Sequence, residues 1–122
     1  MRYISTRGQA PVLSFAEAML TGLARDGGLY VPETVPSLSK DEIAAMAGQS
    51  YEEVAYRVMA PFVGDTFTEE ELKGAIAKAY AGFGHVARAP LVQLAPGHFL
   101  LELFHGPTLA FKDFAMQIIG QL

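Results

Sequence analysis

The sequence predicts an α/β protein in two parts: a mainly helical domain over residues 1–84, then the first strands and helix of an α/β domain over 85–122. Three observations carry this expectation. Four segments begin with Ser or Thr followed three residues later by Glu, and each leads into apolar residues at helical spacing. In such a capping box the hydroxyl and the carboxylate satisfy the orphaned amides of a first helical turn. After Gly82-Phe83-Gly84 the pattern changes to short apolar runs separated by turn residues. The third observation is compositional. The chain has 122 residues, 51% of them hydrophobic and only 18% charged. A folded chain of this mass exposes roughly 6,400 Å² against roughly 19,000 Å² unfolded, enough burial for one core. A small domain has proportionally more surface and is expected to be more polar than this. Either an interface or a further region of protein is expected to cover the excess.

The elements follow in order. Tyr3-Ile4-Ser5-Thr6 reads as a short strand. Ser14 and Glu17 open a helix with Phe15, Ala18, Met19, Gly22 and Leu23 on one face. Asp26-Gly27-Gly28 signals a tight turn, and Leu29-Tyr30-Val31 a strand that Pro32 ends, with Pro36 in the loop beyond. Ser39 and Glu42 open a short helix of about residues 40–47 that stops at Gly48. Ser50 with Glu53, and Thr68 with Glu71, open two more. Their apolar faces are Tyr51, Val54, Ala55, Val58 and Phe62, then Leu72, Ala75, Ile76, Ala79 and Tyr80. Beyond a boundary near residues 82–88, Leu91 to Leu94 and Phe99 to Phe104 read as strands joined by the turn Ala95-Pro96-Gly97-His98. Phe114, Ala115, Ile118, Ile119 and Leu122 are spaced for a last helix.

Several function classes are set aside by composition. Nine basic residues against thirteen acidic ones, a net charge of −4, argue against a general nucleic-acid binder. No apolar run approaches a membrane span, and the run from Phe99 to Phe104 is broken by Glu102. Met1-Arg2-Tyr3 leads into no apolar signal core, so a cytoplasmic protein is expected. The absence of cysteine removes disulfides, thiolate catalysis and most structural zinc sites. His85, His98 and His105 lack the close spacing of helical ligand pairs, and no metal site is expected.

One lysine stands apart. Lys40, Lys73 and Lys78 lie in polar helical stretches, but Lys112 lies in Ala-Phe-Lys-Asp-Phe-Ala between a strand and a helix start. An amine in apolar surroundings has its charged form disfavoured, which frees the neutral nucleophile that attack on an aldehyde requires. The competing reading pairs Lys112 with Asp113 or Glu102, or lays its stem along an apolar face.

Glu102 followed by Thr108-Leu109-Ala110-Phe111-Lys112-Asp113-Phe114-Ala115-Met116 resembles the lysine-attachment signature of fold-type II pyridoxal-phosphate enzymes of the serine/threonine dehydratase group. The longer run Leu103-Phe104-His105-Gly106-Pro107-Thr108-Leu109-Ala110-Phe111-Lys112-Asp113-Phe114 is similar to the threonine synthase family. So are Tyr3-Ile4-Ser5-Thr6-Arg7-Gly8, Ser14-Phe15-Ala16-Glu17-Ala18 and Leu23-Ala24-Arg25-Asp26-Gly27-Gly28-Leu29-Tyr30-Val31-Pro32, and the likeness runs through essentially the whole chain.

This resemblance implies a lyase that converts O-phospho-L-homoserine and water to L-threonine and phosphate. Lys112 would hold pyridoxal 5'-phosphate as an aldimine and shuttle protons at Cα and Cβ of the substrate. His105, Thr108 and Asp113 flank the lysine as candidates to position it or line the pocket. Asp113 has the alternative of a favourable charge in a first helical turn, and Thr108 that of a turn or cap residue. Gly106-Pro107 is expected to set backbone geometry, and Asp26-Gly27-Gly28 a structural turn. Arg7 and Arg25 suit phosphate by chemistry, but surface ion pairs are the expectation for both.

Family members run to several hundred residues, and no glycine-rich phosphate cradle of the expected kind follows Lys112 here. The chain is therefore expected to be an N-terminal fragment, inactive alone, whose partner is the C-terminal portion of its own protein. Residues 1–81 are expected to fold more independently than the last 35, which are expected to be disordered, self-associated or rearranged. Two rivals remain: another fold-type II lyase of the dehydratase kind, and a non-catalytic helical interaction module.

Overall fold

The computed structural model describes residues 1–122, and the chain divides into two compact units. Unit 1 holds Met1–Gly48 and Arg57–Glu69; unit 2 holds Gln49–Tyr56 and Glu70–Leu122. Packing thus groups the fourth helix with the residues after 84, a different division from the chain-order one at 84. Expected capping boxes form reciprocally at Ser14 with Glu17, Ser39 with Glu42 and Ser50 with Glu53.

In unit 1, β1 (Tyr3–Ser5) pairs antiparallel with β2 (Tyr30–Pro32), Ile4 standing opposite Val31. Helix α1 (Phe15–Thr21) follows the Ser14 cap, and α2 (Lys40–Ala45) the Ser39 cap. Tyr3 ties the sheet to helix α3 (Tyr51–Val63): its hydroxyl donates to the Phe62 carbonyl at 2.9 Å. Its ring packs on Phe15, 6.0 Å away between centroids, and Phe15 meets Phe67 edge-on. Pro61, which has no N–H to give the helix ladder, lies two residues from the end of α3. Gly64 closes that end at φ +60°, its N–H donating to the Ala60 carbonyl.

The Asp26-Gly27-Gly28 segment is the structural turn expected. The Asp26 carboxylate accepts from the Ser5 hydroxyl at 2.8 Å and from the amides of Gln9 and Gly28 at 2.9 Å each. Arg7 donates to the Asp26 carbonyl oxygen at 3.2 Å, in place of the surface ion pair expected of it. Arg25 is exposed.

In unit 2 the core is built on α4 (Glu69–Tyr80), which starts beside Thr68 as expected. Leu72, Ile76, Ala79 and Tyr80 recur at helical spacing and are all buried, joined by Phe83 and Ile118. Burying a Leu or Ile side chain contributes about 1.5–3 kcal/mol, so this stripe is the main apolar anchor of the unit. Strands β3 (Leu91–Ala95) and β4 (His98–Leu101) form an antiparallel hairpin, with Gly97 at φ +71° in its turn and an irregularity between Gln93 and Ala95. Helix α5 (Asp113–Ile119) ends the chain's regular structure.

The last 35 residues thus carry a hairpin and a helix in place of disorder. They are nonetheless poorly covered, since every residue of β3 and β4 is exposed. The chain exposes 8064 Å², above the roughly 6,400 Å² of a compact protein of its mass. Leu91, Leu94, Phe99, Leu101, Leu109, Phe111 and Met116 are each half or more exposed and account for much of the apolar excess read from composition.

Candidate functional site

The segment from β4 to α5 is shaped by three local devices. The first is a pair: His105 Nε2 stands 2.6 Å from Glu102 Oε2, both side chains about one-fifth exposed. The His105 carbonyl accepts from the Gly84 amide at 2.8 Å, and its ring lies against Phe104 and His85. Glu102 is therefore committed to His105 and not to Lys112.

The second device is a clamp. Asp113, the first residue of α5, is 2% exposed. Its carboxylate accepts from the Thr108 amide and the Thr108 hydroxyl, at 2.9 Å each, and from Gln117 Nε2 at 3.4 Å. Burial pushes this carboxyl up, but the bonds from Thr108, Gln117 and the Ala110 amide together outweigh it and hold the group below the ordinary aspartate range. The third device is a close approach. A Cβ on Gly106 would stand 2.5 Å from Asp113 Cβ and 2.7 Å from its Cγ, so only glycine fits. Gly106 thus sets backbone geometry, as expected.

Between these devices the turn is tight. Leu109 takes φ +63°, its amide donating to the Gly106 carbonyl at 3.1 Å. No sequence signal marks this, because leucine rarely adopts the left-handed region. The Lys112 carbonyl accepts from Met116 at 2.8 Å and begins the helix.

The structure brings Thr108 and Asp113 together, and pairs His105 with Glu102 instead of with them. Lys112 itself is exposed and caps α5 in helical conformation without a side-chain bond. Both carboxylates considered as its partners are occupied elsewhere, so the ion-pair reading of this lysine fails. The apolar surroundings expected around it are also not supplied by these residues. Its apolar neighbours in sequence, Leu109 and Phe111, point into the open at 72% and 65% exposure. The physical reason is position: a residue at the mouth of a first helical turn sits where only other segments can enclose it.

A primary amine without an ion-pair partner, on a turn held rigid by a buried carboxylate, is a fitting attachment point for an aldehyde cofactor. Among the described residues no cluster of His, Asp and Glu suits a metal ion. Arg7 and Arg25 lie in unit 1, as does a cleft lined by Ser37, Leu38, Glu42, Met46, Arg57 and Pro61.

Comparison with known proteins now gives the family. A family described as the threonine synthase N terminus matches residues 2–80. Threonine synthase from Pseudomonas aeruginosa is 55% identical over 122 residues, covering 100% of this chain and 26% of that protein. The Schizosaccharomyces pombe threonine synthase is 44% identical over 98% of this chain and 24% of its own length. Among solved structures, pyridoxal-phosphate-bound threonine synthase from Brucella melitensis superposes with a TM-score of 0.96 at 51% identity, over 99% of this chain and 26% of that one. The Escherichia coli threonine synthase gives 0.84 at 32% identity, over 99% and 27%. The fold is thus that of the N-terminal part of the fold-type II α/β enzymes. The chain belongs to the threonine synthase family, and it spans about a quarter of the length of the curated relatives it matches.

Proposed function

We propose that the whole protein is a threonine synthase: a pyridoxal-phosphate-dependent carbon–oxygen lyase that converts O-phospho-L-homoserine and water to L-threonine and inorganic phosphate, in the cytoplasm. The observation that carries this reading is the unpaired Lys112 amine at the start of α5, on a turn closed by Thr108 and Asp113. Bound pyridoxal phosphate supplies an electron-withdrawing ring that stabilises negative charge at the substrate Cα. Lys112 is the residue that binds the cofactor covalently and, once released, moves protons at Cα and Cβ. Thr108 and Asp113 orient it, and His105, held by Glu102, lines the approach from β4. The family match over residues 2–80 supports a helical N-terminal domain over 1–84, and the lysine-bearing turn before α5 is read as part of the start of the cofactor domain over 85–122.

The 122 residues alone are proposed to be inactive. Proton transfer at a carbon next to charge needs a site closed to water, and Lys112 and the β3–β4 hairpin are exposed. The partner that encloses them is the C-terminal portion of the same protein.

The test is borohydride reduction of the full-length protein with pyridoxal phosphate, followed by peptide mass analysis. The expected adduct is on Lys112. Lys112→Ala is expected to remove both the adduct and the visible absorbance of lysine-bound cofactor, and to lower phosphate release by orders of magnitude. An adduct on another residue, or turnover retained in the variant, would overturn the assignment. Deamination of serine in preference to phosphate release would assign another fold-type II lyase.

A further inference from the structure

Helix α5 is tied to α4 through one polar point. Tyr80, the last residue of α4, is 5% exposed, and its hydroxyl donates to the main-chain carbonyl of Phe114 at 2.8 Å. Phe114 lies two residues beyond Lys112, in the first turn of α5. The Tyr51 ring, from the first turn of α3, packs edge-on against Tyr80 and holds that ring in place. A hydroxyl has one proton to give. Tyr80 gives its own to Phe114, so the bond runs from α4 to the lysine-bearing helix.

The rings around this bond do not require it. Tyr51 meets Tyr80 edge-on at 4.9 Å, Phe83 lies 5.3 Å from Tyr80, and Phe114 lies 5.0 Å from Phe83. Phenylalanine at 80 would fill the same space, and a buried hydroxyl costs stability unless it is bonded. What the Tyr80 hydroxyl adds is direction. Apolar packing lets a short helix rotate and slide against its neighbour, whereas a hydrogen bond weakens steeply away from its axis. The Asp113 clamp holds the turn before α5, while the Tyr80 bond holds the helix itself.

We propose that Tyr80, backed by Tyr51, is a positioning residue for Lys112: its bond to the Phe114 carbonyl fixes the rotation of α5 and so the direction in which Lys112 presents its amine. This rests on the reading of Lys112 as the cofactor lysine.

The test uses the full-length protein and three substitutions, Tyr80→Phe, Tyr51→Leu, which removes the ring packed on Tyr80, and Tyr3→Phe. The last is a matched control, since the Tyr3 hydroxyl donates to the Phe62 carbonyl at 2.9 Å in the other unit. In the cofactor-free protein, amides of residues 114–119 in Tyr80→Phe are expected to exchange about fivefold faster, the loss of one ordinary hydrogen bond. The rate of covalent attachment of pyridoxal phosphate is expected to fall about tenfold, and kcat with it while KM stays within about twofold. Tyr51→Leu shifts the same quantities less, because Tyr80 keeps its hydroxyl but loses the ring that backs it, and Tyr3→Phe leaves them at the wild-type value. Wild-type exchange and attachment in Tyr80→Phe, or equal effects from Tyr3→Phe, would overturn the proposal. Should Tyr80→Phe not fold, Tyr51→Leu decides by the same criteria. Borohydride trapping of wild-type protein tests the Lys112 reading separately, and amide exchange measures the Tyr80 bond whatever that outcome.

Discussion

Asp113 holds Thr108 by both of its carboxylate oxygens, one accepting the Thr108 amide and the other the Thr108 hydroxyl, each at 2.9 Å. This closes the segment between the His105–Glu102 pair and α5 into one turn, with Lys112 at its end. A carboxylate otherwise expected in a first helical turn for its charge serves here as the centre of a hydrogen-bonded loop.

The two residues are expected to behave as one unit. Thr108→Val and Asp113→Asn should each lower the thermal midpoint. The double variant should fall by less than the sum, because either change already breaks the shared bond. Thermal unfolding of the four proteins checks this, and strict additivity would refute the coupling.

Acid should dissolve the clamp in a particular direction. The Asp113 carboxyl is depressed in the folded chain, since the bonds it accepts outweigh its burial. The unfolded chain therefore binds the proton more readily, and the stabilisation is complete above the ordinary aspartate range. It fades as pH falls through the folded value. The gap in thermal midpoint between wild type and Asp113→Asn should hold steady from neutral pH down to that range, then shrink. Asp26 is depressed too, and comparison of these two proteins cancels its contribution. A gap that widens on acidification would contradict the assignment.

Gly106→Ala should be costly although the change is one methyl group. The new Cβ would stand 2.5 Å from Asp113 Cβ, and overpacking of this kind costs about 1–3 kcal/mol. Urea unfolding measures it. A variant as stable as wild type would mean that the turn gives way freely.

Apolar residues in unit 2 should divide sharply by burial. Ile76 is 0% exposed on α4 and Leu100 is 47% exposed on β4. In the 122-residue chain Ile76→Ala should destabilise by about 2–5 kcal/mol, while Leu100→Ala should stay within about 0.5 kcal/mol. Equal effects would show that the hairpin is buried in solution.

Much of the fold was legible along the chain. The caps at Ser14, Ser39 and Ser50 were readable because hydroxyl and carboxylate stand three residues apart, the distance over which one helical turn closes. The buried stripe Leu72, Ile76, Ala79 and Tyr80 followed from periodicity for the same reason. The lysine segment was readable as a motif, together with its family. The partners of its residues were not: Glu102 was a candidate partner of Lys112 and bonds His105, and Asp113 bonds Thr108. Charge alone made several pairings equally sensible, and backbone geometry chose among them.

The sequence by itself determined where helices start, which helix faces are apolar, which lysine differs from the others, and that the apolar content exceeds what so short a chain can bury. Only the tertiary structure decided that β1 pairs with β2 across 24 intervening residues, that Tyr80 reaches Phe114, and that Lys112 stands exposed. The division has a physical cause. Hydrogen bonds within a helical turn join neighbours in the chain, so local residue types specify them. Burial, strand pairing and the Tyr80–Phe114 bond depend on which distant segments meet, and chain order does not carry that.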